Sequence, residues 1–215
     1  MSLEVTVAGE QLVLLPDRAI FWPRKNTLLV ADTHWGKAAT LRAASIPIPG
    51  GTTTEDLDRL SVLLRGTGAT RMVLLGDAIH AKEGRAARTL QAVAKWRECH
   101  AALDILLIRG NHDRRSGDPP AGLNIRCENA PFADAPFVFQ HFPGKAKGGY
   151  ALAGHMHPAI KLYGRGKEKR TLLCFWFTAC CGVLPAFGAL TGAALVAREE
   201  GDRVFVIADE EVIAV

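Results

Sequence analysis

The chain has 215 residues, 48% hydrophobic and 22% charged, which supplies a full core and excludes a disordered chain. The formal net charge is +4 with a sequence pI near 8.9, a mild basic balance that points to an anionic partner only where the charge clusters. Five cysteines (Cys99, Cys127, Cys174, Cys180 and Cys181) include no Cys-x-x-Cys pair, which argues against a disulfide framework and for buried thiols in a reducing, cytoplasmic compartment.

The chain opens on MSLEVTVAGEQLVLLP, which alternates apolar and polar residues and carries acidic ones. It predicts two strands, EVTVAG and LVLLP, and not a signal peptide. The apolar run TLLVAD, ending at Asp32, predicts a third strand. A helix follows over TTEDLDRLSVLLRG, with Thr and acidic residues at its start and Leu57, Leu60, Leu63 and Leu64 on one face. RMVLLGD is again strand-like. GRAARTLQAVAKWREC repeats the helical pattern with Ala87, Leu90, Val93 and Ala94. Beyond it only strands are predicted: LDILLIRGN, GLNIRC, FVFQHF, YALAGH, AIKLYG, TLLCFWF, ALVAR and RVFVIAD. Helices alternate with strands early and strands dominate late, a pattern of stacked sheets with helices outside. There is no repeat and no linker, so residues 1–215 read as a single domain.

From Thr171 to Ala197 no side chain is charged, which raises a membrane span. Gly182, Pro185, Gly188 and Gly192 cut the run into pieces of strand length, so buried strands around LPAFG and no membrane partner are expected.

The ends of the strands carry the chemistry. TLLVADTH delivers Asp32 and His34, RMVLLGD delivers Asp77, and ILLIRGNHD delivers Asn111, His112 and Asp113. FVFQH ends on His141, and YALAGHMH on His155 and His157. Ligands of open α/β sheets bind beyond such carboxyl ends. If the chain stays extended through GHMH, His155 and His157 project together while Met156 turns to the core. Aspartate, asparagine and neutral imidazole suit Mn, Fe, Zn or Co, and the absence of thiolate argues against a closed structural zinc site. The donors are too many for one tetrahedral ion. Two divalent ions bring four positive charges, of which Asp32 and Asp77 remove two. A bridging hydroxide and a phosphodiester can balance the rest, as in paired metals roughly 3.5–4 Å apart.

In this order, DTH, GD, GNHD, a lone His and GHMH resemble the calcineurin-like metallophosphoesterase superfamily, over Asp32–His157. The resemblance implies an α/β fold of two stacked mixed β-sheets flanked by helices, a four-layer sandwich. It also implies a ligand assignment: Asp32, His34 and His157 on one metal, Asn111, His141 and His155 on the other, and Asp77 bridging. His112 would be the general acid, oriented by Asp113. Mn is the expected metal. A narrower resemblance rests on GDAIHAK, HWGK and LLCFWF…VLPAFGALTG, which look like the bacterial ligase-associated DNA-damage-response endonucleases. The usual tail of that branch has a second Gly where this chain has TGAA. The branch implies a Mn-dependent phosphodiesterase acting on DNA, with DNA ligase, helicase and exonuclease as associates. The alternative is a phosphatase or small-nucleotide or cyclic-nucleotide hydrolase on the same dinuclear site.

Other residues are less determined. His80 is expected to touch substrate phosphate, with orientation of a metal ligand or capping of the next helix as other readings. His100 reads as surface. Asn111, Arg114 and Lys145 are candidate substrate contacts. They belong to basic loops that also hold Arg109, Arg115, Lys147, Lys161, Arg165, Lys167, Lys169 and Arg170, a nucleic-acid track if the charges face one way. Trp35 suits either base stacking or the core.

Overall fold

A computed structural model describes residues 1–164 and 168–215; Arg165 and Lys167 of the expected basic track lie outside them. The first sheet begins as a meander of β1 (Leu3–Val7), β2 (Glu10–Leu15), β3 (Ala19–Trp22) and β4 (Thr27–Val30), all antiparallel neighbours. It continues in parallel through β5 (Arg71–Leu74), β6 (Asp104–Ile108) and β7 (Arg126–Glu128). Between these strands run α1 (Lys37–Ala43), α2 (Thr52–Thr67), α3 (Ala87–Cys99) and α4 (Asn111–Ser116). Parallel neighbours need such crossovers, which is why the helices sit in this half of the chain.

The second sheet holds β8 (Phe132–Asp134), β9 (Phe137–Phe139), β10 (Tyr150–Ala153), β11 (Pro158–Tyr163), β12 (Lys169–Phe177), β13 (Cys181–Val183) and β14 (Ala194–Leu195), in the order β14-β11-β12-β13-β10-β9-β8. β15 (Arg203–Ala208) pairs with β12, and β16 (Glu211–Ala214) pairs with β15. The β9–β10 and β10–β13 pairs are parallel, while β11–β12, β12–β13 and β8–β9 are antiparallel, so both sheets are mixed.

Side-chain alternation divides the core. Leu29, Ala31, Val73, Leu75, Leu106 and Ile108 face the second sheet and pack with Phe137, Phe139, Leu152, Phe175, Phe177 and Leu184. Their neighbours Leu28, Val30, Met72, Leu74, Ile105 and Leu107 face the helices and meet Leu57, Leu60, Leu63, Leu64, Val93 and Trp96. Strands buried on both faces need the continuous apolar runs seen in the sequence. The helical cover is one-sided: among the described residues no α-helix follows Ser116. The far face of the second sheet is covered instead by loop and strand side chains, Ala146, Met156, Ile160, Leu162 and Val196 among them. The uncharged Thr171–Ala197 stretch forms β12, β13 and β14, as expected, and no described helix is long and apolar enough to cross a membrane.

Several elements escaped the sequence patterns. β3 (four residues), β8 (three) and α1 (seven) are the clearest cases. ALVAR keeps only Ala194–Leu195 as strand. His100 is not a plain surface residue: its Nε2 lies 2.9 Å from Ser61 Oγ and its ring 4.8 Å from that of Trp96. Trp35 is 1% exposed and belongs to the helix-side core, so it has no face for a base.

Candidate metal centre

The parallel strands β4, β5 and β6 and the parallel pair β9–β10 all end at one edge, and the loops leaving them converge. Main-chain hydrogen bonds lock these loops together. Asp32 N–H donates to Gly76 O (3.2 Å), His34 N–H to Asp77 O (2.9 Å) and Trp35 N–H to Ala78 O (2.8 Å). The tail after β13 closes the same edge: Leu184 N–H donates to Ala153 O, and Phe187 and Gly188 N–H to Ala31 and Asp32 O. VLPAFG therefore clasps the ligand loops of the two sheets.

The loops are strained. Of the eleven non-glycine residues with positive φ among those described, five are expected ligands: Asp32 (54°), His34 (46°), Asp77 (55°), His155 (70°) and His157 (50°). Such conformations cost about 1–3 kcal/mol each and persist where the surroundings impose them. This overturns the extended reading of GHMH. The backbone is left-handed at both histidines, which fall in different donor groups, while Met156 packs against Ala151 and Ala153 as foreseen. Three glycines make the room: a Cβ on Gly76 would overlap His141 Nδ1, one on Gly110 would overlap Asp77 Oδ1, and one on Gly154 would fall 2.5 Å from Asp32 Oδ2.

Three donor groups result among the described residues, one of them the imidazoles of His34, His80 and His112 and the other two built on the aspartates. Asp32, His34 and His157 offer ligand atoms within 4.8 Å of one another, and so do Asp77, His141 and His155. Asn111 joins the second, with Oδ1 3.0 Å from His141 Nε2. The groups adjoin, since His141 Nδ1 is 3.9 Å from Asp32 Oδ1 and His141 Nε2 is 3.4 Å from Asp77 Oδ2. All seven residues named from the sequence are thus gathered at one place.

The donors fit metal ions on their own chemistry. Asp32 Oδ2 accepts from His155 N–H (2.8 Å), but Oδ1 is buried with no hydrogen-bond partner. A buried carboxylate oxygen left unpaired is costly, and a cation is the partner such an oxygen needs. His141 donates through Nδ1 to Leu75 O (2.9 Å), so its Nε2 lone pair faces Asn111 Oδ1, Asp77 Oδ2 and His155 Nδ1 (3.1 Å). Acceptors converging on a lone pair make poor hydrogen bonds and a good coordination shell. Burial pushes the His34 pKa down to about 2 and lowers that of His155, keeping both imidazoles neutral. Burial also works to lower that of His141, but the Asp77 carboxylate 3.4 Å from its Nε2 favours the charged ring, and the net shift is upward. Asp77 resists its own burial through the same attraction and the hydrogen bond from His112 N–H, and its pKa is lowered.

The acid–base pair is arranged differently from the expectation. His112 sits at the start of α4, its N–H donating to Asp77 Oδ1 (2.9 Å) and its ring Nδ1 bonded to His80 O. Asp113, expected to orient His112, instead accepts from four main-chain N–H groups: Asp77 (2.7 Å), Gly110 (2.9 Å), Ala78 (2.9 Å) and Ile79 (3.4 Å). Its carboxylate is 1% exposed and stitches the GD and GN loops together. Burial raises its pKa, with the amide donors opposing.

Of the substrate candidates, His80 lies inside the centre, its ring 3.1 Å from His34 through the two Nδ1 atoms. Arg114, Arg115, Lys145 and Lys147 are exposed beside the ligand loops. Arg109 is engaged by Asp118 at 2.7 Å, which removes it from the track. Lys161, Lys169 and Arg170 lie on the β11–β12 arm and are exposed. Two residues went unnoticed in the sequence. Phe142 is 48% exposed, with its ring 4.4 Å from that of His155. Lys37 is half-buried, its pKa lowered by burial against the pull of Asp32. HWGK contained Lys37, but nothing in its spacing marked it.

No family model matches the chain, and no curated protein matches it. Among solved structures, the Pseudomonas putida nuclease MPE superposes with a TM-score of 0.88 at 38% identity, covering 100% of both chains. YfcE, a phosphoesterase from E. coli, aligns over 87% of this chain and 96% of its own at 14% identity and a TM-score of 0.40, a likeness too remote to weigh. With full-length coverage, that identity and a donor set built for metal, the chain belongs to the calcineurin-like metallophosphoesterase superfamily, in the branch represented by the P. putida nuclease.

Proposed function

We propose that this protein is a two-metal phosphodiesterase that cleaves DNA, an endonuclease serving repair. The observation that carries the reading is the pair of adjoining donor groups, Asp32–His34–His157 and Asp77–His141–His155, with His112 at their side. Asp32, His34 and His157 would hold one ion, Asn111, His141 and His155 the other, and Asp77 both. Mn is the expected metal, and Fe, Zn and Co suit the same donors. Bound ions supply Lewis acidity toward a phosphoryl group and a nucleophilic water at neutral pH.

The chain's own groups do the rest. His112 Nδ1 is committed to the His80 carbonyl, so Nε2 is the atom that holds a proton for the leaving oxygen. The Asp77 carboxylate holds the His112 main chain and thereby keeps the acid beside the metal ligands. Lys37 adds a half-buried cation that feels the Asp32 carboxylate, and Arg114, Lys145 and Phe142 are exposed side chains free to meet a nucleic-acid strand. Support for DNA is the nuclease activity named for the P. putida neighbour and these exposed cations. Cytoplasmic location, for which the five free thiols speak, and association with DNA ligase, helicase and exonuclease belong to the same proposal.

The test is purified protein with Mn, offered bis-nitrophenyl phosphate, a mono-nitrophenyl ester and plasmid DNA. Diester and plasmid cleavage abolished by chelator is the expected result. Efficient monoester hydrolysis with an intact plasmid would replace this reading by the phosphatase one.

A further inference from the structure

His80 stands between a metal ligand and the general acid, and touches both. Its ring Nδ1 is 3.1 Å from His34 Nδ1, with the two rings edge to face at 4.9 Å and 80°. Its carbonyl oxygen takes the His112 Nδ1 proton, and its ring stacks on that of His112 at 4.6 Å and 22°. Only one proton fits between two facing Nδ1 atoms. If His34 carries it, His34 Nε2 keeps a lone pair for a cation and His80 is the acceptor. If His80 carries it, His34 is protonated on Nε2 and cannot ligate through that atom. A neutral metal-bound imidazole takes its tautomer from the partner of its other nitrogen, and here that partner is His80. The same residue fixes His112: with Nδ1 donating to the His80 carbonyl, Nε2 alone is left to exchange a proton.

We propose that His80 is a positioning residue that sets the tautomers of both the ligand His34, through its ring, and the acid His112, through its main-chain carbonyl. This rests on the two-metal reading above. It replaces the expectation that His80 touches substrate. The main chain holds His80 in place without its ring: His80 N–H donates to Trp35 O (3.2 Å), and the flanking segments at Trp35 and Ile79 form a parallel bridge. Truncating the ring therefore removes the acceptor and leaves the carbonyl.

The design follows from shape. An asparagine amide stands near the place of a histidine Nδ1, and a glutamine amide near that of Nε2. The experiment measures Mn affinity by calorimetry, without substrate, for wild type, His80→Ala, His80→Asn and His80→Gln, with thermal melts of the metal-free proteins to confirm folding. His80→Ala and His80→Gln are expected to weaken one of the two ions by about 10–100-fold, the usual worth of such an outer partner. His80→Asn should stay near wild type, because it restores the acceptor. Unchanged affinity in all three, equal weakening in all three, or retention by Gln with loss by Asn would each overturn the assignment. Failure of the wild type to bind two ions would count against the two-metal reading instead.

Discussion

Asp113→Asn separates two roles for a residue that a motif alone cannot. The carboxylate divides its four donors evenly: Oδ2 accepts from Asp77 and Gly110 N–H, and Oδ1 from Ala78 and Ile79 N–H. An amide has one acceptor oxygen, so whichever way it turns, two N–H donors face an NH₂ group. The amide turns its NH₂ toward the weaker pair, where Ile79 N is already 3.4 Å away. Leaving a buried donor unsatisfied costs about 1–3 kcal/mol, so one good and one long bond lost come to about 2–4 kcal/mol. That is a large share of a typical stability of about 5–15 kcal/mol, and for a chain of this size about 5–15 °C in Tm. The assay is thermal and urea unfolding of chelator-treated protein, so that metal binding does not enter. A variant that melts with the wild type yet turns over slowly would refute the stitching role and restore Asp113 as the orienter of His112.

Other perturbations follow from the same geometry. Asp77→Asn should empty both metal positions and Asp32→Asn chiefly one; Mn per chain measured with the rate decides, and full occupancy at normal rate in the Asp77 variant would sink the bridging role. Gly110→Ala should displace the Asp77 carboxylate, since its Cβ would overlap Oδ1, and abolish metal uptake in a folded protein, read by circular dichroism beside Mn titration. His112→Ala should keep its metal and slow turnover by roughly 10²–10⁴, with a smaller loss on nitrophenyl esters, whose leaving group needs little protonation; equal losses on good and poor leaving groups would give His112 another task. Replacing Lys145 and Lys147 by Ala should flatten the salt dependence of DNA binding, by about one power of salt per phosphate released, and spare small-diester hydrolysis; an unaltered slope in anisotropy titrations would make these loops plain solvated surface.

The sequence exposed the centre better than the loops that build it. Strands buried on both faces write themselves as apolar runs, so β4, β5, β6, β9 and β10 were legible, and with them the residues at their ends. What lies between ligands was not. Extended spacing misplaced His155 and His157 because periodicity carries no information about a left-handed residue. Asp113 was assigned to its sequence neighbour, whereas its partners are the main-chain amides of a loop thirty-odd residues away and of Gly110. His80 faces His34 because Trp35 and Ile79 bridge, a pairing between loops that no local pattern encodes. The one-sided helical cover was equally hidden: the far face of the second sheet is closed by Ala146, Met156 and Val196, residues that look ordinary in a loop or a short strand.

The most direct measurement is anomalous diffraction from crystals grown with Mn. Two peaks are predicted in each chain, one within ligand distance of Asp32, His34 and His157, the other of Asn111, His141 and His155, with Asp77 reaching both. A single peak, or one seated among the third cluster of imidazoles at His34, His80 and His112, would contradict the two-metal centre.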